Sequence, residues 1–129
     1  MVLIIRQAQM DIFAAAARER FMSEMVDHVK MYFPSLHKKL GDAGLRDTLT
    51  ETVRKAKTYG FSTRRDVCKF INVAMMFGPD FDRSLPLFPT ILAGPEHPSV
   101  KARRLSETSL AIYKIAKDRH KRDSAKKQS

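Results

Sequence analysis

Tyr59 to Asp82 reads YGFSTRRDVCKFINVAMMFGPDFD, a helix written between two stop signals. Gly60 follows a helical run, and glycine takes the left-handed conformation that closes a helix without steric cost. Ser62 and Thr63 are good caps for a new helix. Thr63-Arg64-Arg65-Asp66 has the spacing of a capping box, with Asp in place of Glu or Gln. Val67, Phe70, Ile71, Ala74 and Phe77 then fall on one face at helical spacing. Gly78-Pro79 ends the helix, and Asp80-Phe81-Asp82 turns the chain away. The stretch predicts the central helix of a small all-α domain.

Helical patterns extend in both directions. Before it, Asp42 is placed to cap a helix from about Ala43 to Tyr59, with Leu45, Leu49, Val53, Ala56 and Tyr59 inward. Gly41 closes a short turn over Ser35–Leu40, and Pro34 ends a long first helix at Phe33 or just before. That helix runs from about Gln7 to Tyr32, its stripe formed by Met10, Phe13, Ala14, Ala17, Phe21, Met25, Val29 and Tyr32. Val2–Ile5 is either an extended arm or the start of that helix, and its apolar run needs cover. After the central helix comes a loop, Gly78–Pro86, with Phe81 and Leu85 as inward anchors. Leu87–Ala93 is a short helix stopped by Gly94-Pro95. Ser99 is placed to cap a last helix reaching about Lys117. Leu105, Ile112, Ile115 and Ala116 face inward there, with Leu110 and Tyr113 further round. No strand pattern of any length is present. The expected architecture is one helical bundle over residues 1–117, with four main helices and one or two short ones. A basic tail, residues 118–129, is expected to be disordered for want of apolar residues.

At 129 residues, with 43% hydrophobic content, there is material for one modest core. The net charge of +10 is uneven. Residues 101–129 hold ten Lys/Arg against three Asp/Glu, whereas residues 1–100 hold fourteen against eleven. Lys101, Arg103, Arg104, Lys114, Lys117, Lys121 and Arg122 therefore form a candidate basic surface. Its partner would be acidic: nucleic acid, an acidic protein or anionic lipid. The bland alternative is a solubilising tail. Cys68 is the single cysteine, so an intrachain disulfide is excluded, which fits a reducing compartment. Polar residues from Arg6 onward interrupt the apolar start too early for a secretory signal, and no run is long enough to span a bilayer. The expected location is the cytoplasm.

Chemistry is sparsely written. Asp80 and Asp82 could share a cation or a proton, but further oxygen ligands are not nearby in sequence and the spacing is not that of an EF-hand. The plainer reading is that Asp80 turns the loop and Asp82 pairs with a basic residue. His28, His37, His97 and His120 have no metal-ligand spacing. Cys68, near a helix N-terminus and Arg64 and Arg65, has two influences that lower a thiol pKa, but no base to make it a nucleophile. No phosphate-binding glycine loop, nucleophile elbow or zinc framework is present. The expectation is no catalytic residue, no metal and no cofactor. Residues 43–59 and 64–77 have helix-turn-helix spacing. The outward positions Lys69, Asn72 and Met76 offer few polar groups for base edges.

Several of these residues recur as a set: Ile5-Arg6-x-x-Gln9-Met10; Arg20-Phe21 with Met25 and His28; Tyr32-Phe33-Pro34; Tyr59-Gly60-Phe61-x-x-x-x-Asp66; and Phe77-Gly78-Pro79-Asp80-Phe81-Asp82. The set, over roughly residues 4–93, resembles small helical proteins encoded in bacterial type VI secretion effector clusters. The resemblance implies a non-enzymatic accessory role, a co-adaptor or chaperone that binds an effector, adaptor or spike component. It carries over no catalytic residue and does not reach the basic tail. Leu3 and Ile5 in the N-terminal segment, and Asp80, Phe81, Asp82 and Leu85 in the loop, are the candidate partner contacts. The rival readings are an immunity protein that neutralises a toxin, and a nucleic-acid binder acting through the last helix and tail.

Overall fold

The computed structural model describes the backbone of residues 2–84 and 86–128, and the side chains of residues 15–84 and 86–122. Six helices follow one another: α1 (Val2–Tyr32), α2 (Pro34–Thr58), α3 (Arg64–Phe77), α4 (Phe81–Ser84), α5 (Leu87–Ala93) and α6 (Pro98–Gln128). Four are long and two short, and there is no strand among the described residues. The chain divides into two compact units, residues 1–54 and residues 55–129, with the boundary inside α2.

In the first unit, α1 begins at Val2, so Val2–Ile5 is helix rather than an arm. The side chains of Leu3 and Ile5 lie outside the described residues. Met25 and Val29, one turn apart, are buried, but Ala17 and Tyr32 of the expected stripe are exposed. Tyr32 instead lays its ring against His28, 4.8 Å away. Phe33 N–H still donates to the Val29 carbonyl, so the helical bonding ends where Pro34 forces it to. α2 is broken at Gly41 (φ 74°, ψ 174°), a conformation that a side chain would strain. The break separates the short turn from the longer helix, as the sequence predicts. Asp42, the expected cap, is instead an ion-pair acceptor. His37 Nε2 lies 2.5 Å and Lys30 Nζ 3.3 Å from its carboxylate, and these two neighbours hold its pKa below the ordinary value. Leu45 and Leu49 are fully buried, and Arg46 pairs with Glu19 of α1 at 2.6 Å.

The second unit is built on α3. The end of α2 closes in a Schellman motif: Phe61 N–H donates to the Ala56 carbonyl and Gly60 N–H to that of Lys57, with Gly60 at φ 91°. The apolar partners of that motif, Ala56 and Phe61, are both fully buried. Thr63 then caps α3 by accepting the Asp66 amide, and Gly78 (φ 101°) ends it. Val67, Phe70, Ile71, Val73, Ala74 and Met75 of α3 are all buried, too many for one face, so this helix is wrapped on several sides. It packs against α4 and α6, and α5 packs against α4 and α6 in turn. The core is aromatic. Phe70 lies 5.5 Å from Phe61 and 5.0 Å from Phe81, Phe81 meets Phe88 edge-on at 5.3 Å, and Phe88 meets Phe77 at 5.5 Å. Offset and edge-on rings of this kind add to the stabilisation from their burial.

Three local expectations change. Asp66 does not return to the Thr63 amide. It is buried and accepts a hydrogen bond from Ser99 Oγ at 2.9 Å. With Ser99 so engaged, His97 caps α6: its Nδ1 accepts the Ser99 amide and its carbonyl the amides of Val100 and Lys101. Pro98 then occupies the first helical position, where its missing N–H costs nothing. Finally, α6 runs from Pro98 to Gln128, past the end expected near Lys117.

Candidate functional site

The loop after α3 turns part of itself inward. Residues 81–84 form the single-turn helix α4, started by the Asp80 carbonyl, which accepts the Arg83 and Ser84 amides. Phe81 is fully buried and Asp82 is 3% exposed, so neither presents a face to a partner. This corrects their assignment as contacts. Asp80 remains on the surface, its side chain 80% exposed, and Leu85 lies outside the described residues.

Asp82 is spent on holding the unit together. Its Oδ1 accepts Lys55 Nζ at 2.9 Å and its Oδ2 accepts the Tyr59 hydroxyl at 2.6 Å. The same ammonium donates to the Pro79 carbonyl at 2.8 Å and stands 3.6 Å from Asp80. One lysine from the end of α2 thus ties down the whole Pro79–Asp82 turn. Burial pushes the Asp82 carboxyl up, but the Tyr59 hydroxyl and the Lys55 ammonium outweigh it and leave the pKa below the ordinary value. Tyr59 is pushed up to about 12, by burial first and by the carboxylate second. Asp82 therefore stays an ionised carboxylate and Tyr59 a phenol across the physiological range. The group is a structural clasp, with its polar atoms already paired. No group of three or more His, Cys, Asp or Glu among the described residues could hold a metal ion. Cys68 is half-buried, and burial raises its pKa against the opposing pull of Arg64, the reverse of an activated thiol.

The candidate basic surface divides in two. Near the start of α6 the charges are engaged. Lys101 Nζ donates to the Leu92 carbonyl at 2.9 Å, which caps the end of α5. Arg104 pairs with Glu96 at 2.7 Å, and Arg103 lies 3.8 Å from Glu107. Further along, Lys114, Lys117, Lys121 and Arg122 are exposed and make no ion pair with a described residue.

The outer half of α6 also carries apolar groups that the sequence reading placed partly inside. Leu110, Tyr113 and Ile115 are 59%, 55% and 59% exposed, and Ala116 is exposed as well. Ala102, Leu105 and Ser109 are buried, so the inward face of α6 is covered over its first turns and loses its cover beyond Ser109. A shallow hollow of about 520 Å³ opens there, lined by Ile112, Ile115, Ala116, Arg119 and His120. Helical spacing put Ile112, Ile115 and Ala116 on the inward stripe with Leu105. It could not show where along the helix the neighbouring elements stop.

No helix of the described residues is long and apolar enough to cross a membrane. No protein-family model, curated protein or solved structure matches the chain.

Proposed function

We propose that the protein is a non-enzymatic, protein-binding accessory module, whose partner is an effector, adaptor or spike component of a type VI secretion cluster. The observation that carries the binding reading is the set of exposed apolar side chains on the basic outer half of α6. Ile112, Ile115 and Ala116 stand three and four apart along the hollow, the spacing by which a helix lies in the groove of a partner, while Leu110 and Tyr113, one turn apart, lie further round the helix. Each large side chain that moves from water into such a groove contributes about 1–2 kcal/mol, and a central tyrosine is a frequent anchor. Lys114, Lys117 and Lys121 lie on the Leu110 side of the same half of α6, so they favour acidic groups on the partner and disfavour a second copy of this basic chain. Two features speak for a protein groove over a lipid surface. The set lines a concave hollow in part, and its only aromatic residue is Tyr113, whereas interfacial helices favour Trp and Phe anchors. The secretion-cluster assignment rests on the resemblance of residues 4–93, many of which are helix caps and core positions in this fold.

The test is a nuclease-treated capture of the products of neighbouring genes by the purified chain, at low and high salt. An effector, adaptor or spike protein is expected to stay bound at high salt. It should be lost from a Leu110→Ser, Tyr113→Ser, Ile115→Ser triple variant of unchanged helicity. A partner held equally by the triple variant would overturn the placement, and no partner surviving nuclease and salt would overturn the reading. If the captured protein is a toxin whose activity is abolished, the role is neutralisation rather than loading.

A further inference from the structure

A second surface, away from these apolar side chains, has a different chemistry. Between the first turns of α3 and α6 lies a cleft of about 400 Å³, within the size range of small-ligand sites. Arg65 and Lys69 line it from α3, one turn apart, and Arg103 lines it from α6. Arg65 and Lys69 make no ion pair with any described residue, although Arg46, Lys55 and Arg104 do. Their charges are therefore not used by the fold. The one carboxylate in the lining, Asp66, is 4% exposed and accepts the Ser99 hydroxyl. Three cations and one buried carboxylate line the hollow; Arg103 also stands 3.8 Å from Glu107, an exposed neighbour outside the lining, whereas Arg65 and Lys69 have no such partner among the described residues.

We propose that this cleft binds a phosphate-bearing ligand through Arg65, Lys69 and Arg103. Two guanidinium groups offer paired N–H donors that match two oxygens of one phosphate, and Lys69 adds a point charge. The Asp66–Ser99 hydrogen bond joins α3 to α6 at the cleft. It sets the separation of Arg65 and Lys69 from Arg103 before any ligand arrives, which lowers the cost of binding. Thr63 Oγ1 accepts the Asp66 amide, and its own hydrogen remains to be donated to an anion. A hollow of this size has room for more than one phosphate group, so the ligand class is a diphosphate or a phosphate carried on a larger body. The two sources of that chemistry are a small phosphorylated molecule and the backbone of a nucleic acid. This site is independent of the exposed apolar side chains of α6 and of the partner proposed for them.

The test uses the full chain, with pyrophosphate followed by calorimetry and a short single-stranded oligonucleotide followed by fluorescence anisotropy. The proteins compared are the natural chain, Arg65→Ala/Lys69→Ala, Arg103→Ala, and Lys117→Ala/Lys121→Ala as a control on the outer half of α6. Pyrophosphate is expected to saturate the natural chain and the control alike. Its affinity should fall about tenfold or more in the Arg65/Lys69 variant, the worth of a charge-assisted hydrogen bond, and should fall in Arg103→Ala as well. Since all three side chains leave the core untouched, circular dichroism should be unchanged, and Arg103→Ala tests the site from the other helix. Absence of saturable pyrophosphate and oligonucleotide binding would overturn the proposal. So would equal loss in the control, which would mean diffuse charge attraction. An oligonucleotide that binds more tightly than pyrophosphate and loses affinity in the same variants identifies a nucleic-acid backbone as the source. One that ignores the variants, while pyrophosphate does not, identifies a small phosphate.

Discussion

Replacing Asp82 by alanine is expected to be among the most damaging single changes to a polar side chain in the second unit. The carboxylate is 1% exposed and holds two partners, Lys55 at 2.9 Å and Tyr59 at 2.6 Å. Removing one member of a buried pair costs roughly 3–5 kcal/mol when the other is left with nothing. Here the Lys55 side chain is 21% exposed and keeps the Pro79 carbonyl and the nearby Asp80. Its loss is therefore partial, while the half-buried Tyr59 hydroxyl loses the bond to Asp82. The expected cost is about 2–3 kcal/mol. Asp82→Asn, which keeps an acceptor, should cost about 1–2 kcal/mol. Asp80→Ala should cost less than about 0.5 kcal/mol, because that carboxylate is in solvent. Urea unfolding followed by circular dichroism reads all three, as midpoint shifts at constant slope. The contribution also has a pH signature. Since Asp82 has a lowered pKa in the folded chain, its stabilisation is present above its unfolded pKa of about 3.9 and is lost as pH falls through the folded value. The gap between the natural chain and Asp82→Asn should therefore close in acid. The account of the clasp is refuted if Asp82→Ala and Asp80→Ala cost the same, or if Tyr59→Phe adds its full cost on top of Asp82→Ala.

Two further outcomes follow from local geometry. Tyr59, with its pKa raised to about 12, contributes stability that is intact below its unfolded pKa of about 10 and is lost as pH rises toward 12. Discounted for partial exposure, this is on the order of 1–2 kcal/mol, and Tyr59→Phe should flatten the alkaline limb of a melting-temperature profile. Gly60→Ala should destabilise by about 1 kcal/mol, because φ is 91° there and the strain is in the backbone. Gly44→Ala should stabilise by up to about 1 kcal/mol, since Gly44 is helical and the added methyl meets only the Leu40 Cβ at 3.5 Å. Opposite signs for the two glycines in urea titrations would bear out that contrast, and equal signs would refute it.

Helix ends were legible in the sequence because each is decided by two or three adjacent residues. Pro34, Gly41, Gly60, Thr63 and Gly78 all do what their backbone chemistry requires. What sequence reading missed was the choice among equally suitable partners. Ser99 and His97 can both cap a helix, and the outcome turned on Asp66 claiming the serine hydroxyl from 33 residues away. Asp82 was readable as the partner of some cation. That the cation is Lys55, 27 residues earlier, depends on packing that no local pattern encodes. The same limit applies to the surface. Spacing put Ile115 and Ala116 on the inward stripe of α6, but whether a stripe is buried depends on where the elements packed against it end. Arg65, Lys69 and Arg103 share a cleft only because α3 and α6 are held together at their starts.

The aromatic core sets how this chain can drift over generations. Phe70 touches the rings of Tyr59, Phe61 and Phe81, and Phe81 leads on through Phe88 to Phe77. These six rings come from the turn after α2 and from helices α3, α4 and α5. A smaller ring position cannot be filled from one side alone, because its space is shared among neighbours from different segments. Substitutions there should appear in related chains as matched sets, gained and lost together, while the exposed outer half of α6 is free to change one residue at a time. Lineages would then keep one recognisable aromatic signature between residues 59 and 88, beside a terminal helix that adapts quickly to whatever it meets.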